Sequence, residues 1–256
     1  MPKIIGLVNQ KGGVGKTTSA VNLAAYLAAF GKHVLLIDID PQANATSGVG
    51  ISFSKLPFNL YHSLIGGILP EDVIRRTKLF GYDIMPSGPD LAGAAVELVY
   101  VKDREFKLKD IVDKVGRNYD YILIDCPPSL GLLTINGLVA ARELIIPVQC
   151  EYYALEGLSH LLNTISLVKE NLEKRLKIKG ALLTMYDRRN KLSQEVKKEM
   201  VRNFPGYVFD TVIPRCIKLA EAPSFGKTIL QHSPDSEGAI AYRSLAEEII
   251  SLDNKK

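Results

Sequence analysis

An apolar stretch, Ile4-Ile5-Gly6-Leu7-Val8, leads almost directly into the run Lys11-Gly12-Gly13-Val14-Gly15-Lys16-Thr17-Thr18, and an alanine- and leucine-rich segment follows from Ser19 to Phe30. The order is a short buried strand, a glycine-rich turn and a helix, which commits the chain to an α/β architecture from its start. Backbone N–H groups at a helix N-terminus point outward with partial positive charge and hold phosphate oxygens. Side chains would block that approach, which accounts for Gly12, Gly13 and Gly15. Lys16 is placed to reach terminal phosphates, and the Thr17 hydroxyl to ligate Mg²⁺.

Short apolar runs alternate with helix-like segments along the rest of the chain. Strands are expected at 3–8, 33–38, 82–85, 120–125, 144–148, 179–185 and 207–212. Their continuous, rather than alternating, apolar character marks strands covered on both faces. The expected fold is a doubly wound, mostly parallel sheet flanked by helices, with ligands outside the carboxyl ends of the strands. No Ser/Gly/Pro-rich linker or internal repeat divides the 256 residues, so residues 1–256 are expected to form one domain. The first apolar run is too short for a signal-peptide core, and none approaches the roughly 18 apolar residues needed to span a bilayer. Cys126, Cys150 and Cys216 are scattered without metal-ligand spacing. A reduced, cytosolic protein that does not engage a membrane is the expectation.

Two strands end in aspartate, where such a fold places its ligand. The first continues as Asp38-Ile39-Asp40-Pro41-Gln42-Ala43-Asn44, and strand alternation sends Asp38 and Asp40 to one side, toward the glycine turn. The second continues as Asp125-Cys126-Pro127-Pro128-Ser129. A carboxylate after a buried hydrophobic strand suits Mg²⁺, directly or through water. Standing alone, each aspartate would be read as a helix cap or turn residue. The glycine turn departs from the general G-x-x-x-x-G-K-[ST] pattern by carrying Gln10 where glycine is wanted, and it adds a second lysine, Lys11. That lysine is better placed for a nucleotide held by another subunit than for its own.

The KGGVGKTT run resembles the deviant Walker A motif of the ParA/MinD family, in which this lysine crosses a dimer interface. DxDPQ and DCPPS are further marks of that family. Asp40-Pro41-Gln42-Ala43-Asn44-Ala45-Thr46-Ser47, Tyr153-Ala154-Leu155-Glu156-Gly157, Thr211-Val212-Ile213-Pro214-Arg215 and Glu221-Ala222-Pro223-Ser224 are similar to chromosomal ParA (Soj) proteins. The resemblance implies an ATPase that uses ATP and Mg²⁺, with residues 11–18 around the phosphates, Thr17 and Asp125 at the metal, and Lys11, Lys16 and Asp40 in catalysis. Asp40 would orient or deprotonate the attacking water. Pro214 and Arg215 would lie against the adenine, although relatives often have Asn where this chain has Cys216. For Glu151 and Glu156, contact with Lys11 or the ribose across the interface and a plain surface position both remain open. The family also implies an ATP-bound homodimer on non-specific double-stranded DNA through Arg188, Arg189 and Lys218, a ParB-type partner that stimulates hydrolysis, and a location on the nucleoid.

Charge bears on the same point. The net charge is only +4, yet residues 169–202 hold eleven Lys/Arg against five acids, the uneven footprint of an anionic contact. Three rivals share the glycine turn: a MinD-like membrane positioner, an iron-protein-like reductase and a nucleotide-dependent transcription regulator. Against the first, the tail from Tyr242 to Ile250 places Glu247-Glu248 beside its apolar positions and reads as a packing helix rather than a basic membrane anchor. Against the second, such a reductase needs its cysteines at particular positions of the switch segments that sense the terminal phosphate, and only Cys126 lies beside one, the loop stiffened by Pro127-Pro128.

Overall fold

A computed structural model describes residues 1–151 and 156–255, with the Glu156 side chain excepted. Tyr153, Ala154, Leu155 and the Glu156 side chain, singled out from the sequence, lie outside the described residues.

Seven strands form one sheet in the order β3-β4-β2-β5-β1-β6-β7. They are β1 (Lys3–Leu7), β2 (Val34–Asp38), β3 (Arg75–Arg76), β4 (Tyr82–Met85), β5 (Tyr121–Asp125), β6 (Glu143–Gln149) and β7 (Lys177–Thr184). All neighbours pair in parallel except the two-residue edge strand β3, which runs antiparallel to β4. Six longer helices cover the sheet: α1 (Lys16–Ala29), α2 (Lys107–Val115), α3 (Leu132–Ala140), α4 (Glu156–Asn171), α5 (Lys191–Asn203) and α6 (Glu237–Asn254).

Strand alternation builds two cores from the same strands. Ile4, Leu35, Ile37, Ile122 and Ile124 face a core shared with α2, α3, α4 and α5. Ile5, Leu7, Val34, Leu36, Tyr121 and Leu123 face the other core, shared with α1 and α6. Because both faces are apolar, β1, β2 and β5 read as unbroken hydrophobic runs, as the sequence led us to expect. Helix α2 shows the complementary logic: Leu108, Ile111, Val112 and Val115 recur on one face and are buried, while its charged residues point out. The tail is indeed a packing helix. Tyr242, Leu245, Ala246 and Ile249 of α6 are buried against the α1 core, and Ser19 and Tyr242 share a 3.0 Å hydrogen bond between the two helices.

Two expectations fail, for identifiable reasons. Residues 207–212 are not a strand. Phe209 N–H donates to the Ala181 carbonyl and Ile213 N–H to that of Leu183, but the amides of Asp210 and Thr211 between them turn instead to the Glu248 carboxylate, at 2.9 and 3.0 Å. A side chain from α6 thus replaces the ladder where pairing would have continued. The basic segment 169–202 is also less free than its composition suggests. Lys179 is buried and neutralised by Glu143 and Asp253, at 2.7 and 2.5 Å, and Arg175 is held by Glu173 at 3.1 Å.

Candidate functional site

A cavity of about 650 Å³ opens at the carboxyl ends of the strands. Gly12 follows β1 into it, Asp40 follows β2, Pro128 follows β5 and Met185 follows β7, so the sheet order alone brings these residues together.

Gly13 and Gly15 adopt left-handed backbone with φ of 73° and 86°, a conformation in which an L side chain is strained. Gly15 caps α1 without any side chain, which leaves the first amides of the helix free for a ligand. The turn is anchored from outside, since the buried Thr184 hydroxyl donates to the Val14 carbonyl at 2.8 Å. Thr17 and Thr18 line the cavity with Lys16. The Lys16 ammonium donates to the Lys11 carbonyl at 2.9 Å. Burial pushes its pKa down, against the opposing pull of Asp125, Cys126 and Asp40. Lys16 is therefore a cation fixed among acids, with an acceptor oxygen standing where a phosphate oxygen would compete for it.

The carboxylates divide their work in a way strand alternation did not reveal. Asp125 pairs in register with Asp38 on one side and Leu7 on the other. It is fully buried, and among the described residues neither of its oxygens has a hydrogen-bond partner of ordinary geometry. Burial and the neighbouring Asp38 raise its pKa well above the usual carboxylate range, partly opposed by the nearby Thr17 hydroxyl and by Lys16. A buried carboxylate left without donors is costly, and an oxygen-seeking cation beside Thr17 is the partner its chemistry fits. Asp38, by contrast, turns away from the cavity. Its oxygens accept from the Thr46 amide and hydroxyl, at 2.9 and 2.8 Å, and from the Asp40 amide at 3.1 Å. Burial nonetheless pushes its pKa up to about 6. Asp40 lies beyond the end of β2, where alternation no longer applies, and lines the cavity with its Oδ1 accepting from Gln42 N–H at 3.0 Å.

Asn22, Asn44, Ser47, Ala222, Pro223, Ser224 and Lys227 also line it. Of these, 222–224 stand in the Glu221-Ala222-Pro223-Ser224 run already picked out, whereas Asn22 carries no motif signal. Pro214 and Arg215 are not brought to this cavity. They line a neighbouring cleft of about 980 Å³ together with Arg188 and Arg189. The two clefts adjoin through Tyr186, whose amide donates to the Ile213 carbonyl and whose carbonyl accepts from Arg215 N–H. Lys11 lies 4.0 Å from Glu151 of its own chain, and Arg215 lies 3.6 Å from the same carboxylate. Arg189 is almost wholly exposed, with Asp187 3.5 Å away. Lys218, on the short helix Ile217–Glu221, is paired with Glu221 at 2.8 Å. No helix among the described residues is long and apolar enough to cross a membrane.

A doubly wound sheet with a glycine cradle, a buried lysine and an unpartnered aspartate at its carboxyl edge defines a P-loop nucleotide-binding protein. Known proteins narrow the class. A family model described as an AAA domain matches residues 2–178. The sporulation initiation inhibitor protein Soj of Bacillus subtilis is 53% identical over 249 residues, covering 97% of this chain and 98% of that protein. The chromosome-partitioning ATPase Soj of Treponema pallidum is 50% identical over 256 residues, the full length of both chains. Among solved structures, cobyrinic acid a,c-diamide synthase from Mycobacterium smegmatis with bound ATP analog and magnesium superposes with a TM-score of 0.87 at 37% identity, covering 98% of this chain and 95% of that one. The chain belongs to the ParA/Soj family of chromosome-partitioning ATPases.

Proposed function

We propose that residues 1–256 act as one ATPase domain that hydrolyses Mg-ATP to time its release from non-specific DNA during chromosome or plasmid partition. The observation that carries this reading is the buried, unpartnered Asp125 carboxylate beside Lys16 and Thr17. In this reading the amides and glycines of residues 12–18 hold the phosphates and Lys16 neutralises them. Thr17 and Asp125 hold Mg²⁺, which withdraws charge from the phosphates when bound. Asp40 orients the attacking water. Adenine contact by Pro214 and Arg215 rests on resemblance and requires their segment to shift toward the cavity past Tyr186.

Two subunits close face to face, with Lys11 leaving Glu151 to reach the partner's phosphates. The dimer binds duplex DNA through Arg188, Arg189 and Lys218, and a ParB-type partner speeds hydrolysis and release at the nucleoid. Gly12 supports the closure step. A Cβ built on it meets nothing within 4 Å, and its φ is not among the left-handed ones. The isolated chain therefore has room for a side chain there, and in this reading that room is used by the bound phosphates and the approaching subunit. Gly12→Val should bind ATP as a monomer, and light scattering with Mg-ATP checks this. A normal ATP-dependent dimer of the variant would place Gly12 away from the interface and remove the face-to-face geometry.

A further inference from the structure

The backbone of Asp40 is gripped on both sides by groups that lie outside the cavity. Its N–H donates to Asp38 Oδ1 at 3.1 Å, and its carbonyl accepts from the Ser87 hydroxyl at 2.6 Å. Ser87 lies just past the end of β4, and its own N–H donates to Thr46 Oγ1 at 2.9 Å. Thr46 then donates both its hydroxyl and its amide to Asp38 Oδ2, at 2.8 and 2.9 Å. Asp38, Asp40, Ser87 and Thr46 therefore close a ring of hydrogen bonds across three segments. Ser87, Thr46 and Asp38 are wholly inaccessible and Asp40 is 7% exposed.

The donor directions in the ring are fixed, with both arms starting at Ser87 and ending on the Asp38 carboxylate. The Thr46 hydroxyl proton goes to a carboxylate, so its oxygen is free to accept only from Ser87 N–H, and the Ser87 proton goes to the Asp40 carbonyl. Low dielectric strengthens each of these bonds and makes any broken one expensive. The turn they hold is not one the chain adopts freely. Ala43, whose N–H also donates to the Asp40 carbonyl at 2.9 Å, sits at φ 52°, a left-handed conformation that alanine keeps only when its surroundings impose it.

We propose that Ser87 and Thr46 are positioning residues for Asp40, and that this buried ring sets the angle at which the Asp40 carboxylate enters the cavity. The proposal rests on the assignment of Asp40 to the attacking water. Misplacing a reacting group by about 1 Å can cost on the order of 10²-fold in rate. Losing one bond of the ring should shift Asp40 by less, so the expected loss in turnover is roughly tenfold. Neither Ser87 nor Thr46 lines the cavity, so ATP affinity should stay unchanged.

A double-mutant cycle tests it by single-turnover hydrolysis, with ATP affinity measured in parallel. Ser87→Ala should slow hydrolysis about tenfold in the wild-type background and not at all in Asp40→Ala. Thr46→Val should behave like Ser87→Ala, whereas Thr46→Ser, which keeps the hydroxyl, should retain the wild-type rate. If Ser87→Ala does not fold, the Thr46 pair alone decides. A wild-type rate in Ser87→Ala or Thr46→Val while Asp40→Ala is impaired overturns the ring but leaves Asp40 its role. An equal loss from Ser87→Ala with and without the Asp40 carboxylate also overturns the ring, since its effect would not pass through Asp40. A wild-type rate in Asp40→Ala overturns the assignment of Asp40 and the ring with it.

Discussion

Asp125 destabilises the chain that carries it. A wholly buried carboxylate, with no donor of ordinary geometry among the described residues, is held at the point where β1, β2 and β5 end, beside a second buried acid, Asp38. Leaving such a group unsatisfied costs about 1–3 kcal/mol. Asp125→Asn should therefore raise the melting temperature of the magnesium-free protein, by roughly 2–4 °C per kcal/mol for a chain of this size, while abolishing stabilisation by Mg-ATP. Thermal melts with and without Mg-ATP check both halves, and a lower melting point in the magnesium-free variant would mean that the carboxylate is already satisfied. The same cost sets a pH dependence. Burial raises Asp38 to about 6 and lifts Asp125 well above the usual carboxylate range. The native state thus binds protons the unfolded chain has released, and in the absence of metal Asp38 favours folding at low pH and loses that contribution as pH rises through about 6, with Asp125 acting in the same direction.

At the level of elements, the parts that meet at the cavity were legible in the sequence, because each is a local signal with a local cause. The glycine turn needs positive φ at Gly13 and Gly15, β5 needs apolar residues on both faces, and Asp40 follows directly from the end of β2. What was hidden is long-range. The pairing of 207–212 fails because Glu248, on a helix near the C-terminus, takes the amides of Asp210 and Thr211. Asp38 looked like a cavity residue because its engagement with Thr46 and the Asp40 amide has no sequence signature. The cleft that holds Pro214 and Arg215 is likewise a product of packing. Glu173, just past α4, is a further case. Burial alone would raise its pKa, but Lys109 of α2 and Arg175 more than offset that and hold it down at about 2. A depressed carboxylate stabilises the native state above its unfolded pKa and loses that contribution as pH falls toward 2. Glu173→Gln should lower stability by about 1 kcal/mol near neutral pH, discounted for the exposure of Arg175, and the gap should close in acid. Urea unfolding at several pH values checks it, and a gap that persists at the lowest pH would assign the loss to packing instead.

For the whole molecule, charge composition overstated the anionic contact surface. Lys179 is spent internally on Glu143 and Asp253, and Arg175 is paired with Glu173. Arg189 keeps 94% of its side chain exposed and sits with Arg188 and Arg215 around one cleft. Arg189→Glu should weaken binding to random duplex DNA without affecting ATP-driven dimerisation. The slope of log affinity against log salt should become shallower, by roughly 0.9 for each phosphate that is no longer neutralised. Unchanged affinity and slope would leave this cleft without a DNA role.

The central claim is that binding and chemistry are separable at Asp40. In the proposed function the cradle, Lys16 and the Asp125 carboxylate hold the nucleotide and its metal, and Asp40, at the cavity wall, acts on the water. Pre-steady-state hydrolysis by Asp40→Ala, with ATP affinity and residence on DNA measured on the same sample, tests this most directly. Removing a negative charge from the cavity does not weaken ATP binding by repulsion, whereas losing the water-orienting group typically costs about 10²–10⁴-fold in rate. The account predicts wild-type ATP affinity, hydrolysis slowed by that factor, and a dimer that stays on DNA. Hydrolysis at the wild-type rate, or failure to bind Mg-ATP at all, would contradict it.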